Sequence, residues 1–533
     1  TPNPKPQTPN PKPQTPRLGS FMSWARAAAV ILGLGVVLGV SGAEDASKER
    51  GEVSGELRPV MVVELFRHGA RSADIEFSDD GKARYANKQS GVLQSNGLRE
   101  HYLLGRMVRE NYAQLFDPTK GFEGVSMVKV YSSDTDRTIL SATGHMMGMF
   151  PYGTGLNITG LSSNNSKILL PPYNYKSKEA DSLIQQTNFA LPQGFNPVPI
   201  HVKDASTDTL FMKKMKKACP WGHTLQKLSY GRLSLDLDRF IDSIGDELKK
   251  KGYNCNEIFG KKCKSISGVK GKWSLKNVAM FADSVRSHYY LNGVLPVGIS
   301  DELFVKLKRM FGIYYIAKRY SHPKVLKSYI TGILKLTKNG FHDKSQNNST
   351  LNYIGLSGHE ENLFPLLLAL NQTSLECLLE GLSPDTKQPT GTTSPKPCLP
   401  PPPFSSNLIF ELLQDPSSQN HYIRLKYNND PISIKNTNST LFTLEEFDKL
   451  VDEFSFDQRM LKEFCFGAKS GRTSNIVIFI VLGLIITVAF LAGRVYLWAR
   501  PRENDNLSSL FQQDALAEEK AYQIGEEGVS SQQ

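Results

Sequence analysis

None of the six cysteines in this 533-residue chain belongs to a C-x-x-C pair, so the spacing that usually marks a zinc site is missing. A basic helix with interleaved aromatics is absent too, which sets nucleic-acid binding aside even though the formal net charge is +11. Long uncharged apolar runs are scarce, and only two occur, one near each end. The polar stretch after Arg494 holds no cysteine and no acidic dileucine. Two other absences follow from composition. With 40% apolar residues, 27 Phe and 20 Tyr, wholesale disorder is excluded, and the length excludes a mini-protein that must be stapled to fold.

The two apolar runs organise the rest. Thr1–Gln7 is repeated as Thr8–Gln14, a Pro-rich extension with nothing to bury. Met22-Ser-Trp-Ala-Arg26, the run Ala27–Val40 and Ser41-Gly42-Ala43 then form a charged start, an apolar centre and a small-x-small cleavage site. That pattern predicts a secretory signal peptide over 22–43, with Met22 as the start and 1–21 as an added upstream segment. The second run, Ile476–Ala492, is the length of a short membrane span and is followed by Tyr496 and Trp498 as interfacial anchors. A span over 475–493 behind a cleaved signal makes 44–472 luminal and 494–533 a cytosolic tail. The lysosome and the plasma membrane both remain open as destinations. All six cysteines lie between signal and span, where an oxidising compartment allows up to three disulfides in fifteen connectivities. Asn157, Asn164, Asn347, Asn348, Asn371 and Asn438 head glycosylation sequons on the same side. The charge sits there as well: the ends carry +3, +1 and −3, leaving +10 over 44–493.

Three segments carry chemistry. Pro59–Phe66 is a short apolar run of strand character that leads directly into Arg67-His68-Gly69-Ala70-Arg71. Two guanidiniums suit a tetrahedral oxyanion and stay charged. An imidazole between them is kept from becoming cationic, so one ring nitrogen is free to act as a nucleophile. Gly69 is expected to let backbone approach a ligand. The bland alternative is an Arg-rich turn with a surface His, and the preceding strand argues against it. The second segment, Val128–Tyr131 followed by Ser-Ser-Asp-Thr-Asp, reads as a strand ending in caps for an amphipathic helix. Arg137 falls in that helix's first turn, where the dipole disfavours a cation unless an anion is bound. Between these segments, Leu93–Gly97 opens a helix expected to present Leu103, Leu104 and Met107 on one face. The third segment, Leu351–Gly358, delivers His359-Glu360-Glu361 and a leucine-rich helix. If the three strands end at one sheet edge, His68, Arg137 and His359 share a pocket. His145, His223 and His421 lack such a setting and read as structural.

In that order, Arg67-His68-Gly69-x-Arg71, the Leu93–Gly97 helix start, Arg137 and His359-Glu360 resemble the histidine acid phosphatase family, in layout the membrane-anchored lysosomal type. The likeness spans about 59–465. It implies an α/β fold, a three-layer α/β/α sandwich of the phosphoglycerate mutase kind, with a mainly helical insertion over about 155–345. It implies His68 as nucleophile, Glu360 as proton donor, and Arg67, Arg71, Arg137 and His359 as phosphate ligands, with no metal and no cofactor. It also implies the pairs Cys219–Cys465, Cys255–Cys263 and Cys377–Cys398. The expected partners are phosphate monoesters, the membrane through a single span, and a second copy in a homodimer. Two departures stand out. Arg71 is followed by Ser72-Ala73 where the family places Pro at the second position. The family's distal His-Asp is here His359-Glu360, one methylene longer, with Glu361 a candidate substitute. An acidic optimum is expected if the carboxyl must be protonated and His359 cationic. A phytase-like enzyme on the same scaffold and a catalytically weak membrane glycoprotein with a receptor role are the competing readings.

Overall fold

The computed structural model describes residues 56–86, 90–116, 126–158, 189–382, 398–434 and 439–467, together with 484 and 486–492. The expected signal segment, the Pro-rich extension, the expected cytosolic tail and the sequons at Asn164 and Asn438 lie outside these residues. So does most of the apolar stretch 475–493 expected to span a membrane, of which 484 and 486–492 are helical. Among the described residues no helix is long and apolar enough to cross a membrane. The chain divides into two units, Thr1–Phe466 and Gly467–Gln533. All that follows concerns the first.

Among the described residues ten strands occur in chain order: β1 (Arg58–Arg67), β2 (Ile75–Phe77), β3 (Ala83–Tyr85), β4 (Val128–Ser133), β5 (Ile200–Lys203), β6 (Tyr353–Gly358), β7 (Asn407–Gln414), β8 (His421–Tyr427), β9 (Asp430–Pro431) and β10 (Leu441–Thr443). Eight of them make one mixed sheet in the order β10-β8-β7-β1-β6-β4-β5, with β9 on β8, while β2 and β3 form a separate hairpin. The strands β1, β6, β4 and β5 run parallel, and β7 closes against β1 antiparallel. The β1 run is continuously apolar because both its faces are covered, as parallel sheets require.

Alternation along β1 separates two cores. Val62 and Phe66 pack with Val108, Met146 and Tyr353 under the helices Ser95–Asn111 and Asp136–Met149. Met61, Val63 and Leu65 join Phe341, Phe364 and Phe410 on the opposite face. The result is helices on both sides of a mixed sheet. The helix Ser95–Asn111 does not present the expected face. Its buried positions are Gly97, His101, Gly105 and Val108, and Leu103 is 52% exposed. Glycines decide this, since a Cβ at Gly105 would overlap the His145 carbonyl and one at Gly148 the Tyr102 carbonyl. The two helices touch backbone to backbone along that line, and Leu103 is turned out.

The segment 155–345 is not helical throughout, because β5 within it forms the sheet edge beside β4. Helices then dominate from Pro220–Asp236 to Pro323–Ser345. The three disulfides are Cys219–Cys465, Cys255–Cys263 and Cys377–Cys398. The first ties the helical region to the helix Gln458–Phe466.

Candidate active site

Register places the functional loops. Arg67 at the end of β1 lies opposite Gly358 at the end of β6, and Ser132 of β4 lies opposite Ser357. Antiparallel β7 begins at the same edge, with Phe66 opposite Asn407. Four segments therefore converge there: Arg67–Arg71, Ser133–Arg137, His359–Glu361 and Phe404–Asn407.

His68 is 3% exposed. Its Nδ1 lies 2.9 Å from the Gly69 carbonyl, an acceptor only, so Nδ1 carries the proton and donates. Nε2 is left as the unprotonated nitrogen, with no hydrogen-bond partner among the described residues. Burial, followed by the charges of Arg137 and Arg67, holds the imidazole well below its ordinary value. The ring stays neutral in acid, as a nucleophile requires. Gly69 is needed for a reason other than ligand approach. A Cβ there would overlap the backbone of Gly97 at the start of the next helix, while its N–H donates to Ser141 Oγ at 3.1 Å.

Arg137 sits in the first turn of Asp136–Met149, whose N-cap Thr135 makes no side-chain capping bond. The expected Ser/Asp cap is thus not formed, and Asp134 instead accepts from the Ala205 amide. The Arg137 guanidinium reaches the Gly91 carbonyl and His359 Nδ1, each at 3.4 Å, and its Nε is buried without a partner. No carboxylate pairs with it among the described residues. His359, 1% exposed, donates from Nε2 to Ser133 Oγ at 2.8 Å. Its ring lies 5.4 Å from that of His68. Burial, then Lys213 and Arg137, hold it well below its ordinary value. Without a bound anion, burial and the neighbouring cations Lys213 and Arg137 thus act together against a charged His359.

The two candidate acids differ in their partners. Glu361 pairs through Oε1 with Arg319 at 3.1 Å and Lys213 at 3.5 Å. Burial alone would raise it, but Lys213 and Arg319 outweigh that and hold it well below the usual carboxylate range. Glu360 is 2% exposed, with Oε2 2.7 Å from Arg286 and 3.0 Å from Arg67. Its Oε1 is buried without a hydrogen-bond partner.

Sequence reasoning missed Asp283, Arg286 and Phe404. The helix Leu275–Asn292 carries the first two at buried positions three residues apart. Asp283 pairs with Arg71 at 2.5 Å and with Arg286 at 2.8 Å. Burial opposes its ionisation, yet Arg71, Arg286 and Arg67 together hold the carboxyl below its ordinary range. Phe404 ends a proline run and lies 4.2 Å under the Arg67 guanidinium and 5.6 Å under that of Arg286. The Pro402 carbonyl accepts from Arg67 at 2.5 Å. The signal for these residues was weak: an i,i+3 Asp/Arg pair inside an otherwise apolar helical face, and an aromatic after four prolines.

Four arginines thus meet two carboxylates around one neutral histidine, an arrangement suited to an anion with tetrahedral oxygens. Comparison with known proteins agrees. The sequence profile of the histidine phosphatase superfamily (branch 2) matches residues 60–428. Prostatic acid phosphatase of Mus musculus is 22% identical over 412 residues, 74% of this chain and 86% of that protein. Lysosomal acid phosphatase of Homo sapiens is 33% identical over 239 residues, 43% of this chain and 45% of its own length. The solved phytase of Citrobacter braakii superposes with a TM-score of 0.48 at 13% identity, covering 75% of this chain and 98% of that one. With strand ends, the Arg67–Arg71 loop and a match across more than two-thirds of its length in agreement, the chain belongs to branch 2 of the histidine phosphatase superfamily.

Proposed function

We propose that this protein is an acid phosphatase that hydrolyses phosphate monoesters through a phosphohistidine on His68. The observation that carries the reading is the fixed tautomer of His68: Nδ1 is bonded to the Gly69 carbonyl, and Nε2 is free and neutral among arginines. In the first step Nε2 forms a bond to phosphorus as the ester P–O bond breaks, and Glu360 gives a proton to the departing oxygen. In the second step water attacks the phosphohistidine, one of its protons passes to Glu360, and phosphate leaves. Arg67, Arg71, Arg137 and His359 face the equatorial oxygens, where a loose transition state spreads its charge. Arg137 is the cation most available to that charge, having no carboxylate of its own. A phosphate dianion seated there would also raise the proton affinity of His359 by direct attraction.

The membrane topology is part of the same proposal. Six cysteines joined in three disulfides fit an oxidising compartment. The apolar run Ile476–Ala492 fits a single type I anchor, and relatives named lysosomal acid phosphatase favour an endolysosomal destination.

The test is chemical trapping. The full chain is mixed with a radiolabelled aryl phosphate at acidic pH and quenched in base, where phosphohistidine survives. Label should appear on the wild-type protein, disappear in acid, and be absent from His68→Ala. Turnover is expected to fall by several orders of magnitude in that variant. Undiminished turnover by folded His68→Ala would remove the nucleophile assignment.

A further inference from the structure

The Arg67–Arg71 loop does not by itself hold the acid. A glutamate has three side-chain torsions, and a proton donor is effective only when held at the reacting oxygen. The structure shows what holds Glu360. Arg286 Nη2 lies 2.7 Å from Oε2 and 2.8 Å from Asp283 Oδ1, and the Arg286 side chain is 4% exposed. Its guanidinium lies over two rings, 4.4 Å from the centre of Phe311 and 5.6 Å from that of Phe404. Arg67 takes the same Oε2 at 3.0 Å, and Asp283 continues to Arg71 at 2.5 Å. The five groups make one alternating chain, Arg71–Asp283–Arg286–Glu360–Arg67. It runs from the phosphate loop, through the helix Leu275–Asn292, back to the end of β1. Two cations are spent on one oxygen of Glu360 while its other oxygen, Oε1, is buried and without a partner.

We infer that Arg286 is a positioning residue for catalysis: together with Arg67 it locks Oε2 of Glu360, so that Oε1 alone carries the proton to the leaving group. The inference rests on Glu360 being the donor. It makes the helical region a structural part of the acid, not only a wall that selects substrates. The charged and titratable groups around Glu360 come from several elements: Arg67 on β1, Arg286 and Asp283 on the helix Leu275–Asn292, and two neutral phenols, Tyr315 at the end of the helix Asp301–Tyr315 and Tyr427 on β8. Among the described residues only Arg67 and Arg286 pair with its carboxylate.

The experiment follows kcat and KM against pH for the full chain with two esters, an alkyl phosphate that needs protonation on departure and a nitrophenyl phosphate that does not. Arg286→Met should lower kcat for the alkyl ester by roughly tenfold or more, with a smaller loss for the nitrophenyl ester and KM within about twofold. Its high-pH limb should move to higher pH, because an acid that loses a neighbouring cation holds its proton more tightly. Arg286→Lys keeps the charge but not the fork, so it should leave the limb near the wild-type position and restore part of the rate. Equal losses for the two esters, or an unmoved limb in Arg286→Met, would show that Arg286 only packs. Should Arg286→Met not fold, Asp283→Asn provides the second reading, since freeing Arg286 from Asp283 must also change the alkyl-to-nitrophenyl ratio. A ratio equal to wild type in folded Asp283→Asn overturns the proposal. A Glu360→Gln arm separates the two levels: normal alkyl ester turnover there sinks the donor assignment itself, whatever Arg286 does.

Discussion

Two buried charged clusters flank β1, and they are built on opposite plans. At the strand's carboxyl end, arginines outnumber acids, and polar atoms are left without partners: Arg67 Nε, Arg137 Nε, Arg286 Nε and Glu360 Oε1. Within the strand, Glu64 faces the other helical layer. Its Oε1 accepts from Asn407 at 2.7 Å and its Oε2 from Tyr353 at 2.6 Å, with His145 3.3 Å away. On β7, Glu411 accepts from Tyr112 at 2.6 Å and from Arg424 and Lys426. Every oxygen of these two carboxylates has a donor. Burying a charge is tolerable only when its hydrogen-bonding capacity is met, so the second cluster reads as structure. The first leaves capacity unmet among the residues gathered at the His68 edge of the sheet, as suits a site arranged for an anion that supplies the missing partners. The carboxylates distinguish the two: both oxygens of Glu64 and of Glu411 are met, and the atom left unpaired beside them is an imidazole nitrogen, His145 Nδ1, whereas Glu360 keeps one oxygen bare.

The comparison is most directly broken at Glu64. Glu64→Ala strands the Tyr353 hydroxyl and the Asn407 amide in the core, and should cost about 3–5 kcal/mol in a urea melt. Activity per folded molecule should change little, because Glu64 makes no contact with His68 or the arginines. A large loss of kcat with stability intact would show that the saturated cluster is catalytic after all.

Arg137→Ala is the opposite case. With no carboxylate to strand, the variant should keep its melting temperature or gain slightly, since a desolvated cation beside Arg71 is removed. Its kcat/KM should fall by roughly a hundredfold to a thousandfold, the usual cost of one preorganised donor to a transition-state oxyanion. Equal losses in stability and activity would place Arg137 with the structural charges.

Much of this was legible locally. Pro59–Phe66, Val128–Tyr131 and Leu351–Gly358 each announce a buried strand, and each is followed at once by its functional residues. Parallel pairing then brings His68, Arg137 and His359 to one edge without further information. What the sequence hid has a common cause, namely pairing over long separations. Arg286 lies 74 residues from Glu360, and Asp283 lies 212 from Arg71. Their helix shows only an acid and a base among serines and apolar residues, with no motif to mark them. Leu103 was misplaced because backbone contact through Gly105 and Gly148, not side-chain hydrophobicity, fixes the rotation of its helix. The role of Gly69 was likewise misread, since the backbone it admits is the protein's own.

The smallest expected effect distinguishes the clusters through protons. His68 and His359 in the site are held below their ordinary value, and so is His101, packed behind β1 with its Nε2 donating to the Arg67 carbonyl at 3.0 Å. Burial, then the charge of His145, brings His101 down to about 3. For a base depressed on folding, the unfolded chain binds the proton first, so stability falls as pH drops below the unfolded value of about 6.5. Each such imidazole contributes a slope of about 1.4 kcal/mol per pH unit until its folded value is reached. The carboxylates held low by folding, Glu64, Asp283 and Glu361, add to the loss only once the pH nears the ordinary carboxylate range of about 4. Between about 6.5 and 4.5 the imidazoles therefore dominate this loss. Urea melts across that window should show stability declining with acidity, and saturating inorganic phosphate should flatten the decline by letting His68 and His359 keep protons in the folded state. His101→Gln should remove one proton's worth of slope whether or not phosphate is present, because His101 is reached through backbone and not by the anion. If phosphate and His101→Gln flatten the same part of the curve, so that together they do no more than either alone, the two clusters are one electrostatic unit and the division drawn at β1 is wrong.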